Sequence, residues 1–144
     1  MDLSNTSKLA IRSVVYISSQ MGKSKYVNIN EIVENVEENG HTVRKVLQIL
    51  VKHSIINSLQ GSKGGFAVSI EQMETPIIQI VQTIEGLNKI NSCILGLSKC
   101  TSKQPCPLHE EYQKAKAIIH KILMENTIAD LTRMHQTGQV HLKS

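Results

Sequence analysis

The stretch that decides the fold is "NINEIVENVEENGHTVRKVLQILVKHSIINSLQGSKGGFAVS", residues 28–69. Asn28, followed three residues later by Glu31, is typical of a capping box at the start of a helix. The apolar positions after it predict a short helix that runs to about Val36. Residues 37–40, "EENG", then indicate a tight turn. The first part of the stretch therefore predicts a helix that ends in a turn.

The rest of the stretch predicts a second helix and a hairpin. A helix is expected over residues 40–53, where apolar side chains recur on one face: Val43, Val46, Leu47 and Leu50. Two apolar segments then flank "GSKGG", residues 61–65, which is the pattern of a β-hairpin with a glycine-rich tip. A further helix precedes the stretch, over residues 7–20, with Ala10, Val14, Ile17 and Met21 on one face.

Helix, helix-turn-helix and hairpin in this order predict a winged-helix domain over residues 1–72. The fold class is thus mainly α with a small β-hairpin wing. The alternative is a small α+β domain that uses the same elements only for packing. Element order and positive charge favour the DNA-binding version.

Residues 73–144 are expected to form a linker helix, a cysteine-containing loop at 93–106, a long helix at 107–126 and a C-terminal tail. Thr75 is expected to cap the linker helix, with Pro76 at its first position and Gly86 at its end. The long helix has an apolar stripe that is typical of a two-helix seam, and its length favours pairing with a second copy. The stripe comprises Leu108, Tyr112, Ala115, Ile119 and Ile122, widened by Ile118 and Leu123.

The composition excludes several classes of function. The chain has 144 residues and a net charge of +4, which permits a polyanionic partner. One Phe, three Tyr and no Trp argue against a stacking platform for single-stranded nucleic acid. We find no apolar run of about 20 residues and no signal peptide, so we expect a cytoplasmic protein with no membrane segment and with reduced thiols. The usual catalytic constellations are also missing, so we do not expect an enzyme.

All three cysteines fall within 14 residues, in the pattern Cys-x6-Cys-x5-Cys-x2-His formed by Cys93, Cys100, Cys106 and His109. An odd number of cysteines argues against a disulfide framework, and the spacing is not that of paired CxxC zinc or redox motifs. Cys106 is expected at the start of the long helix, where the helix dipole would lower the pKa of its thiol. Thiolates arranged in this way could bind an iron–sulfur cluster, or a zinc ion together with His109. The remaining interpretation is three reduced thiols in a surface loop that bind nothing.

The chain resembles the winged-helix iron–sulfur regulators of the IscR/NsrR type. "LSNTSKLAIRS" (residues 3–13) resembles the first helix of that family, "QGSKGGFAV" (60–68) its wing, and the three spaced cysteines its most specific feature. The resemblance implies a homodimer in which the long helices cross, and it implies that the three cysteines hold a cluster. It also implies a transcription regulator that senses redox state, nitric oxide or iron–sulfur status.

The fourth ligand differs within that family, and the choice bears on the cluster type. The resemblance implies His109 as the ligand, as in the regulator of iron–sulfur assembly. Where the nitric-oxide-sensing repressor uses an acidic residue of the partner's first helix, this chain has Lys8. The departure favours a [2Fe–2S] cluster over a [4Fe–4S] cluster. Two alternatives remain: a regulator of this fold that uses its thiols as a direct redox or zinc switch, and an interaction adaptor that does not bind DNA.

Duplex DNA with a palindromic promoter site is the expected partner, with the N-terminal part of helix 40–53 in the major groove. Thr42 and Arg44 are expected to contact base edges, and Lys45 and Lys63 phosphate or the minor groove. Wings of the related family often carry an Arg where this chain has Gln60. The candidate DNA-binding residues are His41, Thr42, Arg44, Lys45, Gln60, Ser62 and Lys63.

Overall fold

The computed structural model describes residues 3–138 and 140–143. The chain is mainly helical with one two-stranded antiparallel hairpin, as the sequence predicts. The first residue of the predicted winged-helix domain, residue 1, and the last residue of the predicted C-terminal region, residue 144, lie outside the described residues. The elements are, in chain order, α1 (Asn5–Ser19), α2 (Ile29–Val36), α3 (Gly40–Lys52), β1 (Asn57–Leu59), β2 (Gly65–Ala67), α4 (Ile70–Met73), α5 (Ile77–Glu85), α6 (Leu87–Ile90), α7 (His109–Glu125) and α8 (Ile128–Gln136).

Helices α2 and α3 form the predicted helix-turn-helix unit. Asn28 caps α2, because its side-chain oxygen accepts a hydrogen bond from the backbone N–H two residues later at 2.7 Å. Glu31 does not complete the expected capping box. Its carboxylate accepts instead from the Tyr16 hydroxyl at 2.7 Å, which joins α2 to α1. The chain turns at Glu37, whose φ of 54° is left-handed, and Asn39 then caps α3.

The hairpin β1–β2 forms the predicted wing and is fixed to the chain segment before α2. Its register pairs Leu59 with Gly65. Gly65 has a φ of 147°, and a Cβ there would lie 2.2 Å from the carbonyl oxygen of Val27, so no side chain fits. Val27 and Phe66 exchange two backbone hydrogen bonds, of 2.7 and 2.9 Å. The wing therefore has a defined position relative to the helix-turn-helix unit.

Helix α1 is the centre of the molecule and contacts α2, α3, α5 and α8. Val14 and Ile17, on its predicted inner face, are fully buried. Ile77 and Ile80 of α5 and Ile128 of α8 pack into the same core. The C-terminal helices thus complete the core of the winged helix, and the division of the chain after residue 72 stays a prediction.

The start of α5 differs from the sequence prediction. Thr75 does not cap the helix and Pro76 is not its first residue, because the helix begins at Ile77 with Pro76 as its N-cap and no side chain caps it. Long-range hydrogen bonds fix this start. The N–H of Ile77 donates to the carbonyl of Asn126 at 2.9 Å, and the N–H of Ile128 donates to the carbonyl of Thr75 at 3.0 Å.

Helix α7 begins at His109, two residues later than predicted, because residues 106–108 form a turn. Its apolar stripe has two sides. Tyr112 and Ile119 are half-buried and Leu123 packs against the core, on the side of α7 that contacts α5. The other stripe residues are exposed: Leu108, Ala115, Ile118 and Ile122.

The short helices α4 and α6 are not predicted from the sequence. In residues 3–138 and 140–143, no helix combines the length and the apolar character that crossing a membrane requires.

Candidate functional site

The three cysteines lie in the segment between α6 and α7, which contains tight turns and no helix or strand. The N–H of Gly96 donates to the carbonyl of Cys93 at 3.0 Å, and the N–H of Cys100 donates to that of Leu97 at 3.3 Å. A further turn joins Cys106 to the first residue of α7. These turns fold the segment back on itself, so that cysteines separated by six and five residues meet.

The sulfur atoms of Cys93, Cys100 and Cys106 all lie within 4.8 Å of one another, and those of Cys93 and Cys106 are 3.6 Å apart. Backbone N–H groups point at them, among them that of Leu95 at 3.4 Å from Cys93 Sγ and that of Cys106 at 3.4 Å from Cys100 Sγ. Hydrogen bonds of this kind favour the thiolate, which is the form that binds a metal. Within the described ranges, no other group of three His, Cys or acidic side chains lies close enough to share an ion.

His109 lies beside one of these thiols. Its Nδ1 is 3.2 Å from the sulfur of Cys100. It does not belong to the group whose ligand atoms all lie within 4.8 Å of one another. The fold therefore brings three of the four predicted ligands together and places the fourth in contact with Cys100.

The thiols differ in acidity. Backbone hydrogen bonds from Leu97 and Leu95 lower the pKa of Cys93 to about 7. Burial raises the pKa of Cys106, and the neighbouring thiols raise it further. The expectation of a lowered pKa at Cys106 is therefore wrong. The physical reason is that burial of Cys106 and the nearby thiols of Cys93 and Cys100 outweigh a backbone hydrogen bond from Leu108, which by itself lowers the pKa.

Three thiol sulfurs suit a soft metal. The distances between the sulfurs bear on whether a single ion or a larger cluster would fit. A tetrahedral ion with metal–sulfur bonds of about 2.3 Å holds its sulfurs about 3.8 Å apart. The observed spacing thus suits a single ion. A [2Fe–2S] cluster held by three Cys and one His would keep two thiolates at this spacing on one iron, and only the third would have to move away to the other iron. The segment can widen without disturbing the core, because Ile94, Leu95 and Leu97 are all about half exposed.

The predicted DNA-binding residues form a second surface. All of them are exposed, and they occupy two elements, α3 and the tip of the wing. Sequence reasoning missed Gln48, which lies one turn after Arg44 on the exposed face of α3. Arg44, Gln48 and Gln60 line a cleft of about 430 Å³ between α3 and the wing. Gln48 could have been identified from the sequence, because residues four apart lie on the same face of a helix and Gln48 follows Arg44 by four.

A winged helix that also carries three thiols close enough to bind a metal defines a class, the winged-helix transcriptional regulators with a candidate metal site. Residues 3–134 match the sequence model of the Rrf2 family, which is described as an iron-dependent transcriptional regulator. The chain belongs to the Rrf2 family and is a transcriptional regulator of that family.

Individual relatives agree with this assignment. The chain is 25% identical over 134 residues to the HTH-type transcriptional regulator NsrR of Oceanobacillus iheyensis, covering 92% of this chain and 90% of that protein. Among solved structures, T. potens IscR has a TM-score of 0.74 at 18% identity, over 97% of this chain and 92% of that chain. CymR, the global cysteine regulator of B. subtilis, has a TM-score of 0.74 at 15% identity, over 92% of this chain and 97% of that chain. The two structures support the fold.

Proposed function

We propose that the protein is a homodimeric regulator that binds palindromic DNA, and that an iron–sulfur cluster on Cys93, Cys100 and Cys106 controls its affinity for DNA. The observation that carries this proposal is the convergence of the three sulfur atoms within 4.8 Å. It occurs in a segment that leads directly from the helices packed on the winged helix into α7. A site in this position is well placed to link a chemical signal to DNA binding.

We infer that His109 is the fourth ligand. Its ring nitrogen already contacts Cys100 Sγ at 3.2 Å, so a small movement of the segment would bring it to a metal bound by that sulfur. An imidazole ligand favours [2Fe–2S], by resemblance to the iron–sulfur assembly regulator, with [4Fe–4S] as the alternative. A bound cluster would supply a centre that responds to redox state, nitric oxide or iron–sulfur supply.

One feature of α7 supports a dimer, and a dimer would suit palindromic DNA. The outer side of α7 exposes Ile118 and Ile122, at 63% and 55%, which is an apolar stripe suited to a second copy of the same helix. A two-fold dimer of winged helices presents two recognition helices. It therefore fits half-sites about one helical turn of DNA apart.

The mechanism we propose is a population shift between two arrangements of the cysteine segment. The segment is connected to α1 through the end of α5, where the Glu85 carboxylate accepts a hydrogen bond of 2.6 Å from the N–H of Ser4. Burial raises the pKa of Glu85, but the hydrogen bonds from Ser4 outweigh it and hold the pKa below its ordinary value, so the contact keeps its charge at neutral pH. A movement of the segment would thereby shift α1 and the helix-turn-helix unit packed on it.

Footprinting tests this proposal. Duplexes enriched from a random-sequence pool would be probed with protein reconstituted anaerobically with iron and sulfide, and with the same protein after chelation. We expect one state to protect a palindromic site at least about tenfold more tightly than the other, with half-sites about 10 base pairs apart. Equal affinity in both states, or no protection in either, would contradict the proposal.

A second candidate function has its own supporting observation. The sulfur spacing suits a single ion such as zinc, and the 3.6 Å separation of Cys93 and Cys106 places two thiols in direct contact. A regulator of the same fold could therefore use these thiols as a zinc or direct redox switch. Metal and sulfide analysis distinguishes the two candidates.

A further inference from the structure

A small cavity lies where α1, the end of α2, α8 and the segment after α8 meet. Its volume is about 180 Å³. One water molecule takes up about 30 Å³ of liquid, so the cavity has room for a ligand of about six non-hydrogen atoms. No cysteine and none of the candidate DNA-binding residues lines it. The lining residues are Arg12, Tyr16, Asn35, Val36, His135, His141, Leu142 and Lys143.

The fixed charges around this cavity are positive. Arg12 and Lys143 line it, and no acidic side chain of the described residues does. Two carboxylates of the same region are placed elsewhere, because Glu31 accepts a hydrogen bond from the Tyr16 hydroxyl and Glu38 lines a neighbouring groove. Burial and the contact with Glu31 raise the pKa of Tyr16, so its hydroxyl stays neutral and adds no negative charge. The cavity therefore favours an anion.

Two of the lining groups are suited to the charged end of such an anion. Arg12 is half-buried, and one of its N–H groups donates to the carbonyl of Val36 at 3.0 Å, which holds the guanidinium in place. A guanidinium has five N–H donors, so this bond does not exhaust it. The Nδ1 of His135 is buried from solvent and has no hydrogen-bond partner within the described ranges. Because solvent does not reach this nitrogen, a rotation of the ring towards a ligand in the cavity would be favourable.

The rest of the lining is largely apolar. Val36 is buried, Leu142 is half-buried, and the half-buried ring of Tyr16 adds carbon surface. Inorganic phosphate has no apolar part to cover such walls, whereas a short-chain carboxylate has a charged end for Arg12 and an alkyl chain for the walls. Mostly apolar walls with a few convergent polar groups are typical of sites for small molecules.

We propose that this cavity binds a small monocarboxylate, with its carboxylate on Arg12 and His135 and its alkyl chain against Val36 and Leu142. The proposal does not depend on the proposed cluster or on the proposed DNA site. The cavity borders the helix-turn-helix unit, because Arg12 also holds the last carbonyl of α2. A bound carboxylate would share the guanidinium with that carbonyl and would thereby act on α2.

The test is a titration followed by nuclear magnetic resonance. Full-length protein with isotope-labelled histidine would be titrated with sodium butanoate at constant ionic strength, and a His135→Gln variant would identify the His135 signals. Butanamide has the same size without the charge, and inorganic phosphate has the charge without the alkyl chain. We expect butanoate to shift the His135 signals with a Kd of about 1 mM, and both analogues to bind at least about tenfold more weakly.

A pair of variants at Leu142 tests the position of the ligand without altering a helix. Leu142→Asp places a second carboxylate beside the cavity, and Leu142→Asn is its neutral match. We expect butanoate to bind at least about tenfold more weakly to Leu142→Asp than to Leu142→Asn. Arg133→Gln, on the exposed side of α8, should bind butanoate like wild type.

Three results would overturn the proposal. The first is binding of butanamide or phosphate as tight as that of butanoate. The second is equal binding of butanoate by Leu142→Asp and Leu142→Asn. The third is a titration in which butanoate leaves the His135 signals unchanged.

Discussion

At the scale of single residues, the contact between His109 and Cys100 bears most directly on which atoms of the site could bind a metal. An imidazole nitrogen 3.2 Å from a thiol sulfur can donate a hydrogen bond to it or accept one from it, according to the tautomer, or it can bind the same metal. His109 is also the first residue of α7, so anything that moves this ring moves the start of the helix. As the proposed fourth ligand, the same side chain would both bind a metal and transmit its presence to α7.

Replacing His109 by Ala should change the absorption spectrum of reconstituted protein if the ring is a ligand, because nitrogen and sulfur or water ligands give iron different electronic transitions. His120→Ala, on an exposed turn of the same helix, is the control and should leave the spectrum unchanged. Circular dichroism would verify that both variants are folded. Superimposable spectra for His109→Ala and wild type would remove His109 from the ligand set.

At the scale of elements, the sequence predicts the helix interiors and the starts of α2 and α3, but it misplaces the starts of α5 and α7. The apolar faces of α1, α3 and α5 follow from spacing alone, because burial against one core imposes the helical period. The start of α5 depends on a hydrogen bond to Asn126, about 50 residues away in the chain, and no local signal encodes it. The pKa of Cys106 also depends on distant neighbours, since burial and the thiols of Cys93 and Cys100 raise it, and the order of residues along the chain does not encode that environment.

The outer side of α7 gives a prediction at the same scale. In a two-fold dimer each substitution occurs twice, and burying one Ile contributes about 1.5–3 kcal/mol. Ile118→Asp with Ile122→Asp should therefore weaken dimerisation at least about a hundredfold, measured by sedimentation equilibrium. Leu87→Asp on α6, where the Leu is 60% exposed, is the control and should remain dimeric. Unchanged dimerisation of the double variant would exclude this side of α7 as the interface.

At the scale of the whole molecule, the two candidate surfaces are connected through one core. The candidate recognition surface lies on α3 and the wing, the thiols precede α7, and α1 packs against both α3 and α5 between them. The sequence predicted the content of each region from local patterns. It did not predict that Ile128, near the end of the chain, would be fully buried in the core of the winged helix. This shared core is what would allow a change at the cysteines to alter the DNA-binding unit.

The most direct test of the account is the metal and sulfide content of protein purified and kept under anaerobic conditions, measured together with absorption and Mössbauer spectra. We predict iron and acid-labile sulfide in equal amounts, with the spectrum of a [2Fe–2S] cluster, and loss of both in a Cys100→Ser variant. Colourless protein that contains zinc, or that contains no metal and cannot be reconstituted with iron and sulfide, would contradict the iron–sulfur account.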